Sequence, residues 1–346
     1  TTGSRNMAIG YGAMNDTDGH ADTLASNDNV FIGYDSGGGG WQTNDSNNNV
    51  AIGNYTMDGL LNAADNNVAV GYGCGGGLTT GSNNVLMGRN AGATLTTSAG
   101  NVAIGYYALA SEDTNSSNVA VGYRALKDQD GGERNVAIGY DAGTAMSTGD
   151  NNVLIGFSAG DAIDAGRYNT LIGSDAGSAL TDGDHNVMIG HNAGATSDTA
   201  TASAEYNVYV GSSAGRYLDD GLQNVAIGYE AMKSTGNTQN AQYNTAVGYQ
   251  ALFSITDGDS NVAVGTASGD AIDTGYQNVL MGRYAGSAIT GGANNTCIGY
   301  AAGDSMTDNT NNVAIGSNAL GVCESGGINN TAVGTNAGVA LTTGDY

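Results

Sequence analysis

Residues 135–151 read NVAIGYDAGTAMSTGDN and residues 152–168 read NVLIGFSAGDAIDAGRY. Each opens on Asn, runs through three apolar residues to Gly, and closes on a polar, glycine-containing stretch. Units of this type start at Asn6, Asn29, Asn49, Asn67, Asn84, Asn101, Asn118, Asn135, Asn152, Asn169, Asn186, Asn207, Asn224, Asn244, Asn261, Asn278, Asn295, Asn312 and Asn330. Twelve of the eighteen spacings are 17 residues, and the others are 18, 20, 21 or 23. A fixed short period marks a stacked repeat architecture. Residues 1–346 therefore read as one continuous array with no separate globular domain.

The positions within a unit are numbered here as slots 1–17. Slot 1 is always Asn, slot 5 always Gly, slot 3 always apolar and slot 8 always small, while slot 6 is Tyr in nine units. A short β-branched run ending in Gly is a strand followed by a turn. The expected fold is all-β: a parallel β-solenoid or β-roll of about nineteen coils. Slot 9 is Gly in twelve units and Leu or Met in seven; where it is Gly, slot 12 is apolar in ten of the twelve, Gly40 and Ser197 being the exceptions. Each coil therefore takes one further large apolar side chain from either position, as a narrow close-packed interior requires. One unit buries too little to offset ordering 17 residues at about 1–2 kcal/mol each, so the coils must stack.

Stacked Asn at slot 1 (Asn101, Asn118, Asn135 and Asn152, for example) suits a ladder of side-chain amides. The slot-5 glycines, such as Gly105, Gly122, Gly139 and Gly156, supply the turn. Coils at ~4.8 Å spacing make a rod on the order of 90 Å long. Slots 2 and 4 point opposite to slot 3. If slots 2 and 4 fill the coil, slot 3 forms an apolar outer stripe; which face is the interior stays open at this point. Either way a lone rod exposes a stripe that soluble monomers avoid, and three rods around a common axis are the favoured arrangement.

Composition agrees with a ladder protein. There is no proline, which a sheet ladder excludes, and there are 58 glycines and a net charge of −24. That charge argues against nucleic acid as a partner. No apolar run approaches the roughly 18 residues of a membrane span, so no membrane insertion is expected. The stretch GYGCGGG at 71–77 matches G-x-G-x-x-G, but no helix start follows and no acid lies between Asn66 and Ser111. The dinucleotide reading fails on both requirements.

Units such as NVAIGYYALASEDTNSS (101–117) and NTAVGYQALFSITDGDS (244–260) resemble a repeat class of phage tail fibres and related virion appendages, typified by N-T-A-I-G-Y-x-A-L with period 17. They are also similar in pattern to the head repeats of trimeric autotransporter adhesins. The resemblance covers nearly the whole chain and implies a homotrimeric fibre, extracellular or on a virion surface, used for attachment. The last unit is complete and the first is preceded by the tail of another, so a segment of a longer fibre or head-to-tail joining is expected.

Candidate sites are few. His20, His185 and His191 form no catalytic set with the three cysteines, and Cys74, Cys297 and Cys323 occupy slots where small or apolar residues recur. No enzyme activity and no cofactor are expected. Calcium is the one metal to weigh: Asp150, Asp182, Asp184, Asp257 and Asp259 sit on glycine turns, where hard oxygen ligands suit Ca²⁺, although solvated turn acids are the plainer reading. Insertions at 19–28, 37–48, 196–206 and 236–243 are the recognition candidates. Trp41, the sole tryptophan, is the candidate ligand contact, either an exposed indole stacking on a sugar or a filler between chains. The favoured function is a trimeric fibre shaft or adhesin with a cell-surface glycan or protein receptor. The alternatives are an end-to-end polymerising filament and an ice-binding solenoid, the last weakened by irregular threonines.

Overall fold

The computed structural model describes residues 3–15, 25–111, 114, 116–195, 204–218, 220–234, 240–322, 327–339 and 341. Its contacts group the chain into two units, Thr1–Tyr168 and Asn169–Tyr346, each a parallel β-solenoid. The first carries β1 (Met7–Ile9) through β9 (Val153–Ile155) and the second β10 (Thr170–Ile172) through β19 (Thr331–Val333). Every strand is three residues long and occupies slots 2–4, and no helix occurs among the described residues. Neighbours pair parallel and slot for slot: Val102 faces Val119, Ala103 faces Ala120 and Ile104 faces Val121. Insertions leave this register intact; Met188 still faces Tyr209 across a 21-residue spacing.

Slot 1 closes each coil and ties it to the next. The backbone N–H of Asn118, Asn135 and Asn152 donates to the side-chain oxygen of Asn101, Asn118 and Asn135, at 2.8, 2.9 and 2.9 Å. Their Nδ2 groups donate to the carbonyls of Gly132, Gly149 and Gly166, fourteen residues ahead in the same coil, at 2.9, 2.7 and 2.8 Å. All of these asparagines are fully buried. The ladder is therefore amide-to-backbone as well as amide-to-amide, and it satisfies polar groups that would otherwise cost about 1–3 kcal/mol each.

Slot 3 faces the interior. Ala103, Ala120, Ala137, Leu154 and Leu171 are all 0% exposed, while slots 2 and 4 lie partly or largely outside. The conditional assignment with slots 2 and 4 inside is thus reversed. Strand alternation gives the reason: slots 1 and 3 share a face, and the asparagines need the interior to reach the coil-closing carbonyls.

Slot 5 must be glycine for two independent reasons. Gly105, Gly122, Gly139 and Gly156 hold φ of 140°, 143°, 146° and 145°. A Cβ on any of the first three would lie 2.1 Å from the carbonyl oxygen of the next coil's slot-5 glycine.

Slot 9 follows a size code set by slot 3. A Cβ on Gly37 would meet the Phe31 ring at 2.5 Å, and one on Gly215 the Tyr209 ring at 2.4 Å, each slot 3 of the same coil. A Cβ on Gly143 would meet Leu154, slot 3 of the following coil, at 2.7 Å. Where slot 9 holds a buried Leu or Met, as at Leu109, Leu126 and Met232, slot 3 of its coil is Ala103, Ala120 or Ala226. The slot 9–slot 12 exchange seen in sequence is thus part of a three-way filling of one narrow interior.

Candidate interaction face

Turning slot 3 inward turns slots 2 and 4 outward, and this is the feature of the surface that the coil itself does not require. Ile52, Val85, Met87 and Ile138 in the first unit, and Ile227, Met281 and Ile298 in the second, are 36–43% exposed at these slots. No acidic residue of the chain occupies slots 1–5.

Beside it runs slot 6. In the first unit an aromatic column passes every coil. Tyr11 stacks on Tyr34 (5.5 Å between ring centroids), and Tyr55, one position on, bridges edge-wise from Tyr34 to Tyr72 where slot 6 is Asn54. The Arg89 guanidinium lies 5.5 Å from the Tyr72 centroid and 5.8 Å from that of Tyr106, a cation–π bridge. Tyr106, Tyr123, Tyr140 and Phe157 then stack in series at 5.3, 4.7 and 5.3 Å, with interplanar angles of 6°, 9° and 12°. The seven slot-6 rings of this unit are 37–79% exposed. At about 150–250 Å² per whole ring, the uninterrupted run from Tyr106 to Phe157 presents on the order of 350 Å² of aromatic surface, comparable with a typical monomer's largest apolar patch. In the second unit slot 6 is broken by Ser174, Ser212 and Thr266, and the Tyr229–Tyr249 pair stacks at 5.5 Å.

Trp41 is not on any surface. It is 1% exposed, donates from Nε1 to the Gly37 carbonyl at 3.0 Å, and meets Phe31 edge to face at 5.6 Å. The exposed-indole reading is corrected accordingly. Slot 12 of this coil is Gly40, and the insertion folds its indole inward as the large apolar group that the coil lacks. The segments 19–24, 196–203 and 236–239 of the other insertions lie outside the described residues, as do His20 and Cys323.

The turn carboxylates considered for calcium act, where their bonds are seen, as clips between coils. Asp150 accepts the backbone N–H of Glu133 and Asp259 that of Gln242, both at 2.8 Å. The Asp184 carbonyl takes the Tyr206 N–H at 3.1 Å, and Asp182 and Asp257 are exposed. Asp257 and Asp259 line an open groove of 320 Å³ with Tyr243, Ser260, Thr274, Tyr276 and Gln277. No three His, Cys, Asp or Glu side chains converge as metal ligands among the described residues.

Cys74 and Cys297 are fully buried, and burial pushes both thiols up to about 12, so they stay protonated at neutral pH. His191 is exposed in the slot usually held by Tyr, and His185 stacks on Tyr206 at 5.0 Å. Among the described residues no helix is long and apolar enough to cross a membrane.

No protein-family model matches the chain, and no curated protein matches it. What characterises it is its own geometry: a 17-residue coil with an interior fixed by slots 1, 3, 5 and 9, and an apolar outer line at slots 2 and 4, flanked in the first unit by aromatic rings at slot 6.

Proposed function

We propose that the chain is a structural segment of a fibre, outside the cell or on a virion, in which three copies pack around a common axis and the assembly serves attachment. The observation that carries this reading is the outward line of Val, Ile and Met at slots 2 and 4, with an aromatic column beside it, on a chain of net charge −24. Burying that line removes apolar surface from water at roughly 25 cal/mol per Å². It also lets acidic chains meet along a face without carboxylates, avoiding like-charge juxtaposition. A parallel repeat adds its small contribution coil after coil, so the association grows with the number of coils. Attachment to a glycan or protein receptor falls to the inserted segments, which interrupt the repeat without disturbing its register.

The reading is of a structural protein, with neither catalysis nor a cofactor. Negative-stain electron microscopy of purified protein tests it. Discrete rods of uniform length, wider than one coil stack, support a fibre segment. Continuous filaments favour end-to-end polymerisation, and isolated single chains contradict the proposal.

A further inference from the structure

The slot-6 column has a chemical property beyond its surface. Tyr106, Tyr123 and Tyr140 come from consecutive coils, with ring planes within 9° of parallel and centroids 5.3 and 4.7 Å apart. They are 37%, 38% and 47% exposed. Strand pairing fixes their spacing, because Ala103, Ala120 and Ala137 are held in register three residues upstream of each ring. The run is bounded on both sides: Arg89 occupies slot 6 of the preceding coil, and Phe157, which has no phenolic hydroxyl, that of the following one.

We propose that Tyr106, Tyr123 and Tyr140 form an oxidative coupling site, at which a haem peroxidase using hydrogen peroxide joins consecutive coils of one chain through a dityrosine bond. Each of two tyrosines gives up one electron and its phenolic proton. The two phenoxyl radicals join at ring carbons ortho to oxygen, and each ortho hydrogen then moves to oxygen to restore the phenol. The pair loses two hydrogens in all, and hydrogen peroxide, taking up two electrons and two protons, becomes two waters. The stacked geometry holds neighbouring rings face to face with centroids 4.7–5.3 Å apart in advance, which lowers the entropic cost of encounter. Tyr123 and Tyr140, the closest stacked pair in the column, couple first, and Tyr106 with Tyr123 second. The inference stands apart from the trimer, since the linked rings belong to one chain.

The test is to oxidise the full chain with a haem peroxidase and hydrogen peroxide, then digest it and map the linked peptides by mass spectrometry. An equimolar mixture of ¹⁴N- and ¹⁵N-labelled chains separates links within a chain from links between chains. The expected main product is Tyr123–Tyr140 within one chain. Tyr140→Phe should divert coupling to Tyr106–Tyr123, Tyr123→Phe should abolish both links, and Tyr107→Phe should leave the main product in place. Circular dichroism identical to the parent qualifies each variant as folded, and only folded variants are scored. Mixed-isotope links, the same products at equal yield from urea-unfolded chain, or unchanged linkage in folded Tyr123→Phe would each overturn the proposal.

Discussion

The two faces of each short strand obey different rules. Inside, slot 1 is Asn in every unit, slot 5 beside it is Gly, and the size of slot 3 dictates what slot 9 can be. Outside, slots 2 and 4 vary among Val, Thr, Ile and Met, and slot 6 among Tyr, Phe, Asn, His, Arg, Ser and Thr, yet slots 2 and 4 carry no charge in any unit. The inner rules follow from closing and stacking a coil. The outer preference does not, because a solenoid of this cross-section would close as well with polar residues there. Interior substitutions should therefore break the fold, and outer substitutions should break only what the fold is used for.

The largest effect is expected at slot 5. Gly122→Ala combines a strained φ with a Cβ 2.1 Å from the Gly139 carbonyl oxygen, and should cost about 3 kcal/mol or more; thermal unfolding by circular dichroism checks this. Asn135→Ala comes next. It strands the Asn152 N–H and the Gly149 carbonyl, a loss of roughly 3 kcal/mol readable in denaturant titration.

The slot 3–slot 9 code is tested by a rescue. Leu154→Ala should cost about 2–5 kcal/mol, and Gly143→Leu alone should also destabilise, because its side chain would collide with Leu154. Together the two changes recreate the Ala246–Leu252–Ala263 arrangement, in which Ile255 fills slot 12 as Met146 does here, and should recover most of the loss. If the double variant is as unstable as the sum of the singles, the code is wrong.

Much of this was legible in the sequence, and the rest fails for identifiable reasons. The period, the strands and the roles of Asn and Gly stand out because each coil must satisfy the same hydrogen bonds. The sequence leaves the inward face open because Ala at slot 3 gives little hydropathy contrast with Val and Ile at slots 2 and 4. The invariant Asn was the overlooked signal: a side chain that bonds the coil interior places slot 3 beside it. Trp41 misled because it stands in an insertion, where exposure is the usual expectation; Gly40 at slot 12 was the sign of a missing core residue. Tyr55 joins the aromatic column from slot 7, so counting slot 6 alone hides the column's continuity.

The smallest effect concerns pH. Burial raises the pKa of Asp58, Asp270 and Asp304, with the Asp35 charge adding to it at Asp58, and Asp270 Oδ1 is buried with no partner. The folded state thus holds these protons more tightly than the unfolded chain. Their contribution favours folding at acidic pH and is lost as pH rises through the raised carboxylate range. Asp270→Asn should raise the melting temperature slightly at neutral pH and leave it unchanged below the carboxylate range. A larger gain in acid than at neutral pH would reverse the assignment.

The outer face carries the central claim, and native mass spectrometry of the parent beside Ile138→Asp tests it most directly. Ile138 is 39% exposed at slot 4, so the substitution should leave the coil folded, within about 0.5 kcal/mol of the parent. The account predicts three copies for the parent and, for the variant, a folded chain whose three-copy species falls apart at a higher protein concentration than the parent's. A parent that is itself a monodisperse monomer would contradict it.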